Sequence, residues 1–495
     1  MTARRPAGPV WITARYILGH RDGRHCLLPG GEIVFEHGAI RFVGYDYPGE
    51  VAERHDFGNA IVTPGLIDLD ALSDLDTTVL AFDNHPATRT GRVWPHSYMA
   101  RGPYEMYAPD ELLFQKRYAF QALLRNGITT ALPIASLFYR AWGETFEEFA
   151  GAADIAEDLG LRIYLGPAYR TGNPFVTDAG DIELFFDEPR GLAGLQEAIR
   201  FCRTFEGRAG GRIRTMLAPD RIETCTPALL CGTATAGREL GVPVRLHCAQ
   251  GNFEVQTVRR LHDRTPIEWL RDLGFLTDRT LLPHGTHVRP SRQNPGSGDD
   301  LAIILDAGAV IVHCPLVAAR FGNALESVAS FRQRGLRMGL GTDTAPADLM
   351  HNMQIGIATG RIAEGAADAV RAADYFDLAT LGGADALGRP DLGRIEPGAR
   401  ADLAVFQLGL PHQYQVIDPI QTLMLTGRGT DARTVIVDGC FAMEDRVIPG
   451  VDEAEATIAA QAQFDRLVAR YPDRTWKHPP VELIFTPSYP VIGRP

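Results

Sequence analysis

Histidine and carboxylate side chains stand at the ends of five short apolar, β-prone runs. In chain order they are Asp70, His247, His284, His313 and Asp343. Imidazole nitrogens and carboxylate oxygens are the ligands that zinc and iron accept in proteins. If the runs are parallel strands whose carboxyl ends meet, the sequence predicts a centre that binds a divalent metal ion and activates water for hydrolysis.

Each of these residues also has a structural explanation. A single histidine at a strand end is more often a hydrogen-bonded structural group than a ligand. Three such histidines, together with the aspartate that closes the segment GLGTD, favour a shared site. The glycines of that segment suit a close approach of the backbone to a ligand.

The patterning along the chain predicts the elements that carry these residues. β-prone runs broken by turn residues occupy residues 1–62, the first part of a β-sandwich. From residue 63 to 392, strand-like runs alternate with helical patterns at least seven times, which predicts a closed (β/α)₈ TIM barrel as the catalytic domain. β-rich runs return at 393–447. Both chain ends are therefore expected to build one small sandwich, followed by a C-terminal helix and tail at 448–495.

Composition excludes several classes of protein. The chain has 495 residues and a net charge of −12, which argues against a nucleic-acid or anionic-membrane partner. Its seven cysteines are scattered and form no CxxC pair, so they predict neither a disulfide framework nor a thiolate zinc site. No secretory leader and no apolar run of about 20 residues is evident. These features predict a cytoplasmic enzyme with a small-molecule substrate.

The order of six short motifs resembles the amidohydrolase superfamily. The motifs are PGLID, HCAQ, PHGTH, VHCP, GLGTD and PGARADLAVF. Within the superfamily, the chain is most similar to the branch that contains triazine chlorohydrolases and guanine deaminase. The resemblance covers nearly the whole chain. It implies a barrel with a composite β-sandwich, one divalent ion (zinc, with iron as the alternative) and a homodimer or higher homo-oligomer.

The resemblance also implies roles for particular residues. His247 matches the metal ligand of the fifth strand, and Asp343 matches the ligand and general base of the eighth strand. His284 matches the histidine of the sixth strand, which polarises the substrate or binds metal. With Asp70, these residues would form a set of two histidines and two carboxylates.

Three positions depart from the family pattern. The first strand of relatives ends in His-x-His, where this chain has Asp70 and Leu72; a carboxylate can bind zinc, but leucine cannot. Gln250 replaces the glutamate that shuttles protons, and Asp220 replaces a substrate-contacting histidine. Because glutamine does not exchange protons at neutral pH, we expect a leaving group such as halide, thiolate or an activated amine.

Residues 77–103 lack a clear period and predict a long loop after the first barrel strand. Its aromatic residues either pack the loop onto the barrel or line a substrate pocket. Asp74 and Asp76 are expected to be loop or helix N-terminal carboxylates. The predicted substrate contacts are Gln250, Asp220, His313 and His96, with His85 and His351 as further loop histidines within reach.

The sequence therefore predicts a hydrolase that acts on carbon–nitrogen (non-peptide) or similar bonds of a small heterocyclic or amide-like substrate. Two alternatives stay open. In the first, the pocket binds no metal and Asp70, Asp343 and His284 serve as acid–base groups of a lyase or isomerase; if Asp70 is instead a structural residue of a metal-free pocket, it pairs with an arginine or caps a helix. In the second, the barrel binds a ligand without converting it.

Overall fold

The computed structural model describes residues 3–75, 93–134, 137–326 and 328–492. Within these ranges, strands from both ends of the chain form sheets, and the middle of the chain alternates parallel strands with helices. The predicted positions Asp76 and His85, and much of the predicted loop, lie outside the described residues.

The N-terminal part of the chain is all β. Its hairpin turns use residues with positive φ, Asp22 at 53° followed by Gly23 at 75°, and His37 at 51° followed by Gly38 at 79°. Two consecutive residues of this kind match the right-handed twist of the flanking strands. The strands are β1 (Val10–Thr13), β2 (Tyr16–Arg21), β3 (Arg24–Pro29), β4 (Glu32–Glu36), β5 (Ala39–Gly44), β6 (Glu53–Asp56) and β7 (Ala60–Pro64).

The middle of the chain contributes the barrel strands and a few short accessory strands. They are β8 (Leu66–Leu72), β9 (Trp94–Pro95), β10 (Ile128–Ile134), β11 (Arg162–Leu165), β12 (Ala168–Tyr169), β13 (Gly172–Val176), β14 (Ile182–Phe186), β15 (Ile213–Thr215), β16 (Ala218–Pro219), β17 (Val244–Arg245), β18 (Thr280–Pro283), β19 (Val310–His313) and β20 (Arg337–Leu340).

Eight of these strands form one parallel barrel. Strands β15, β11, β10 and β8 form one parallel sheet, and β17, β18, β19 and β20 form another. The sheets join where Leu217 pairs in parallel with Val244. On the other side, the backbone N–H of Asp343 donates to the carbonyl of Asp70 at 2.8 Å. Every barrel strand therefore has neighbours on both sides, and the carboxyl ends meet at one mouth.

Helices connect the barrel strands. They are α1 (His96–Arg101), α2 (Pro109–Arg125), α3 (Phe146–Leu159), α4 (Glu188–Phe205), α5 (Arg208–Gly211), α6 (Pro227–Leu240), α7 (Asn252–His262), α8 (Pro266–Asp272), α9 (Asp300–Ala307), α10 (Pro315–Arg320), α11 (Val328–Gln333), α12 (Leu349–Glu364), α13 (Ala372–Asp377) and α14 (Gly383–Ala386). Local sequence sets their ends: the side chain of Thr145 caps α3, and Gly160, with φ of 77°, terminates it.

The C-terminal part returns to the β-sandwich and ends in helices. Its elements are β21 (Leu403–Gln407), α15 (Pro419–Thr426), β22 (Ala432–Val437), β23 (Cys440–Met443), α16 (Glu453–Arg470) and α17 (Val481–Ile484). Strand β21 pairs with β7 in the six-stranded sheet β23-β22-β21-β7-β2-β3, and the second sheet has the order β5-β4-β1-β6. One apolar core includes Ile12, Phe35, Val62 and Val405, so both chain ends share it.

A buried ion pair ties this sandwich to the barrel. Asp402, in the segment PGARADLAVF, accepts hydrogen bonds from Arg162 at 2.6 and 3.0 Å and from the backbone N–H of Asp438 at 2.7 Å. The predicted fold class, a (β/α)₈ barrel with a composite sandwich, is confirmed. The domain boundaries at residues 62, 392 and 447 stay predictions.

The loop after the first strand is more regular than its sequence pattern indicates. Its described part contains β9 and α1, and the rings of Trp94 and Tyr98 pack at 5.6 Å in an apolar cluster that also contains Tyr471. Tertiary packing against the C-terminal helices stabilises this short helix, which is why periodicity does not reveal it. Among the described residues, no helix has the length and apolar character that a membrane span requires.

Candidate active site

Asp68 joins the first and last barrel strands beneath the candidate site. Its carboxylate accepts hydrogen bonds from the backbone N–H of Asp70 at 3.1 Å, and from the N–H and hydroxyl of Thr342 at 3.0 and 2.7 Å. The side chain is fully buried, and burial raises its pKa to about 6. These bonds fix the backbone of Asp70 relative to Asp343, so the carboxylates of both residues lie at the same side of the barrel mouth.

Replacing Asp68 with alanine is expected to lower the free energy of unfolding by about 2–4 kcal/mol, because three buried donors lose their acceptor. Equilibrium urea unfolding, followed by circular dichroism, measures the change. Asp306→Ala is the matched control, since Asp306 is exposed on α9, and it should shift stability by no more than about 0.5 kcal/mol. Equal stabilities of the two variants would show that the Asp68 bonds contribute nothing.

His247 follows β17, and its ring is held by one hydrogen bond. Nδ1 lies 2.7 Å from the carbonyl oxygen of Asp220. A carbonyl only accepts, so Nδ1 carries the proton and Nε2 presents its lone pair. Nε2 lies 3.7 Å from Oδ2 of Asp70. Burial, reinforced by Arg245 and Arg221, lowers the pKa of His247 to about 3, so the imidazole is neutral at pH 7.

His284 follows β18 and faces both His247 and Asp343. Its ring centroid lies 5.5 Å from that of His247, and its Nε2 lies 3.7 Å from Oδ2 of Asp343. Burial lowers the pKa of His284 well below its usual value, so it too is neutral. The backbone φ is 82° at His284 and 46° at Asp343. Such angles cost free energy in non-glycine residues and often mark functional sites.

Asp70, His247 and His284 form a compact set of potential metal ligands, here named the Asp–His–His group. One donor atom from each lies within 4.8 Å of the other two. Nε2 of His284 is buried without a hydrogen-bond partner, which is costly unless a ligand takes its lone pair. Two neutral imidazoles and one carboxylate suit a zinc ion with a fourth position open. The residues present therefore fit a divalent metal ion.

Asp343 stands beside this group rather than in it. Its side chain is 13% exposed, whereas that of Asp70 is completely buried. Of the two carboxylates, Asp343 is therefore the one that solvent reaches. The structure brings together all four residues that the sequence predicted as ligands. Among the described residues, however, the donor atoms of Asp70, His247 and His284 alone lie within 4.8 Å of one another.

Arg245, which the sequence analysis did not single out, contacts Asp70. Its Nη1 lies 3.4 Å from Oδ1 of Asp70 and donates to the carbonyl of Leu132 at 3.0 Å. Burial raises the pKa of Asp70 to about 7, although Arg245 acts in the opposite direction. The sequence contained one indication of this contact. Arg245 precedes His247 by two residues, and in an extended chain residues two apart point to the same face. The predicted alternative of an Asp70–arginine pair thus exists together with the Asp–His–His group.

The chain packs tightly around Asp70, whereas Leu72, the second departure in the first strand, lies elsewhere. A Cβ atom at Gly341 would lie 2.5 Å from Cβ of Asp70 and 3.0 Å from Sγ of Cys314, so only glycine fits there. Leu72 lines a separate cavity of about 380 Å³ with Tyr118 and Phe464, a cavity that the Asp–His–His group does not line. Leucine at this position therefore faces a cavity that residues of α2 and α16 also line.

Two of the predicted substrate contacts lie close in the chain or in space to His247 of the Asp–His–His group. Gln250 is half-buried; its N–H donates to Glu254 at 2.9 Å, and its Oε1 is buried without a hydrogen-bond partner. Asp220 holds His247 through its main-chain carbonyl, and its Oδ2 lies 3.7 Å from Nη1 of Arg170. Their roles toward a substrate stay predictions.

The other predicted contacts have partners elsewhere. Nε2 of His313 lies 3.2 Å from the hydroxyl of Tyr375 on α13, and the histidine is buried. His96 begins α1 with its side chain 58% exposed and its Nδ1 3.8 Å from Asp178. The N–H of His351 donates to Asp348, which caps α12. Neither His313 nor His96 belongs to the Asp–His–His group, and contact with a substrate stays a prediction for both.

A buried set of nitrogen and oxygen donors at the mouth of a parallel β/α barrel is typical of metal-assisted hydrolases. The chain belongs to the Amidohydrolase family, whose model matches residues 61–441. The predicted family and the predicted hydrolase class are thereby confirmed.

Two similar proteins are named as deaminases. The 5-methylthioadenosine/S-adenosylhomocysteine deaminase of Natronomonas pharaonis is 28% identical over 442 residues, which cover 88% of this chain and 93% of that protein. The protein of the same name from Halobacterium salinarum is 31% identical over 334 residues, 67% of this chain and 73% of that protein.

A solved structure supports the fold. The atrazine chlorohydrolase of Arthrobacter aurescens TC1, crystallised with zinc, superimposes with a TM-score of 0.74 at 22% identity. The match covers 92% of this chain and 99% of that one. At this identity, the similarity establishes the architecture of the barrel and its sandwich.

Proposed function

We propose that this protein hydrolyses a carbon–nitrogen bond at a ring carbon of a small nitrogen heterocycle, using water activated at the Asp–His–His group. One observation carries the proposal: two neutral imidazoles and a buried carboxylate converge at the barrel mouth, beside a second carboxylate that is accessible. The names of the curated relatives support a heterocyclic amine as substrate.

Each residue of the site has one role in the proposed reaction. Asp70, His247 and His284 would hold the metal ion, and the carbonyl of Asp220 keeps the lone pair of His247 turned toward it. When bound, a divalent ion supplies Lewis acidity that brings the pKa of water toward neutrality. Asp343 accepts the proton of the attacking water, since its carboxylate is the accessible one. Oε1 of Gln250 accepts a hydrogen bond from a substrate N–H.

Release of the leaving group has to proceed without a carboxylic acid at position 250. Asp343 can return the proton it has taken, which suffices for an amine that is already activated. Gln250 specifically favours a second candidate reaction, in which halide or thiolate leaves without being protonated. The same activated water serves both reactions, and the substrate decides between them.

Metal analysis with a substrate panel tests the proposal. The purified protein should contain about one zinc ion per chain, lose turnover when a chelator removes it, and regain turnover on zinc addition. The panel comprises aminopurine nucleosides, amino-triazines and chloro-triazines, with ammonia and chloride measured as products. Turnover by protein free of metal would overturn the proposal in favour of acid–base chemistry. Saturable binding with no product from any substrate would favour a binding barrel.

We further propose zinc rather than iron as the ion, and a homodimer in a cytoplasmic setting. Two histidines and one carboxylate accept either ion, and zinc is favoured because the chlorohydrolase of Arthrobacter aurescens TC1 was crystallised with zinc. Analytical ultracentrifugation measures the oligomeric state, and a monomer at micromolar concentration would contradict the dimer.

A further inference from the structure

Two buried side chains of opposite charge meet at the candidate metal site. Asp70 stands where the family pattern has the first histidine of His-x-His, and Arg245 stands two residues before His247. Both side chains are buried, and Nη1 of Arg245 lies 3.4 Å from Oδ1 of Asp70. A buried guanidinium is costly without a partner, and a buried carboxylate equally so. Neither residue is therefore explained alone.

Their charges cancel within the site. In the family pattern, neutral histidines surround one aspartate, at the position of Asp343, so the site carries one negative charge. Here Asp343 is kept beside the Asp–His–His group and Asp70 adds a second negative charge to the site, so the positive charge of Arg245 returns the net charge of the site to −1. We propose that Arg245 is the charge-compensating and positioning partner that adapts this metal centre to a carboxylate ligand at position 70. The inference rests on the proposed function, since it assumes a bound divalent ion.

The geometry assigns one oxygen of Asp70 to each neighbour. Oδ1 faces Arg245, whereas Oδ2 lies 3.7 Å from Nε2 of His247 and points into the Asp–His–His group. Arg245 is itself held by the carbonyl of Leu132 at 3.0 Å. Arg245 therefore orients the carboxylate through Oδ1, while Oδ2, which also accepts a weak hydrogen bond from the thiol of Cys314 at 3.7 Å, faces the metal site. It is a positioning residue that acts through Asp70.

The test restores the histidine of the family pattern with and without the arginine. Zinc affinity is measured by competition with a chelator, and zinc content by mass spectrometry. Asp70→His alone should bind zinc at least about tenfold more weakly than wild type, because a cation now faces Arg245 without its counter-charge. The double variant D70H/R245M should recover most of that loss. If Arg245 is purely structural, the double variant should bind zinc still more weakly than Asp70→His, because removing the arginine would destabilise the site further.

A second pair of variants keeps the test decisive if Asp70→His does not fold. Arg245→Lys keeps the charge and should bind zinc within about fivefold of wild type, since the contact uses one nitrogen. Arg245→Gln should bind at least about tenfold more weakly, since Asp70 loses its positioning partner. Circular dichroism and thermal melting confirm that each variant is folded.

The outcomes separate this inference from the proposed function. Wild-type protein that binds zinc, together with an unchanged or tighter Asp70→His variant, overturns the inference and leaves the hydrolase intact. Equal zinc affinities of Arg245→Lys and Arg245→Gln overturn it as well. Wild-type protein that binds no zinc overturns both.

Discussion

Replacing His247 with alanine is expected to remove the metal ion and to lower kcat/KM by at least about 10³-fold. His247 supplies a neutral nitrogen, and the hydrogen bond of its Nδ1 to the carbonyl of Asp220, at 2.7 Å, fixes the direction of the ring. Among the described residues, His284 supplies the other histidine nitrogen of the Asp–His–His group. With two ligands left, the site no longer encloses a cation. Zinc content and steady-state kinetics on the same preparation measure both effects.

His96→Ala is the matched control for this prediction. His96 is the same residue type, but it lies on α1 with its side chain 58% exposed. We expect zinc content to stay at the wild-type level in this variant, with melting temperatures close to wild type in both. Full zinc content in His247→Ala would contradict the ligand assignment and leave His247 a structural residue that joins β17 to the segment at Asp220.

Replacing Asp343 with asparagine is expected to lower kcat by about 10²–10⁴-fold while the metal ion stays bound. The amide has the shape of the carboxylate but cannot accept a proton from water. Asp343 lies outside the Asp–His–His group and 3.7 Å from Nε2 of His284, so the three ligands keep their arrangement. KM should change much less than kcat, because the lost interaction belongs to the transition state.

Asp306→Asn, on the exposed surface of α9, is the control for Asp343→Asn and should leave kcat unchanged. Loss of zinc in Asp343→Asn would make Asp343 a metal ligand, as the family resemblance implies, and another group would then have to accept the proton. Unchanged kcat would remove Asp343 from the mechanism altogether.

The two predictions also discriminate between the hypotheses that the sequence left open. A lyase or isomerase that uses Asp70, Asp343 and His284 as acid–base groups loses activity in Asp343→Asn but has no zinc to lose in His247→Ala. In a metal-assisted hydrolase, His247→Ala lowers the zinc content, whereas Asp343→Asn lowers kcat and leaves the zinc bound. The pair of measurements therefore identifies the chemistry before the natural substrate is known.

Much of the architecture was predictable because it depends on local patterns. Alternating strand and helix periods predict a parallel barrel, and the C-terminal helix expected within 448–495 is observed as α16 at Glu453–Arg470. The short elements β9 and α1 were not predictable, since they are stabilised by contacts between Trp94, Tyr98 and the distant Tyr471. Long-range packing leaves no period in the sequence.

The sequence by itself determined which side chains stand at the strand ends: His247, His284 and Asp343 follow apolar runs, and in a parallel barrel all such ends face one mouth. Only the tertiary structure decided what surrounds Asp70. Whether its carboxylate meets an arginine, a histidine or both depends on which strands become neighbours when the barrel closes. Residues far apart in the chain acquire one electrostatic environment only at that step, so the partnership with Arg245 is a property of the fold.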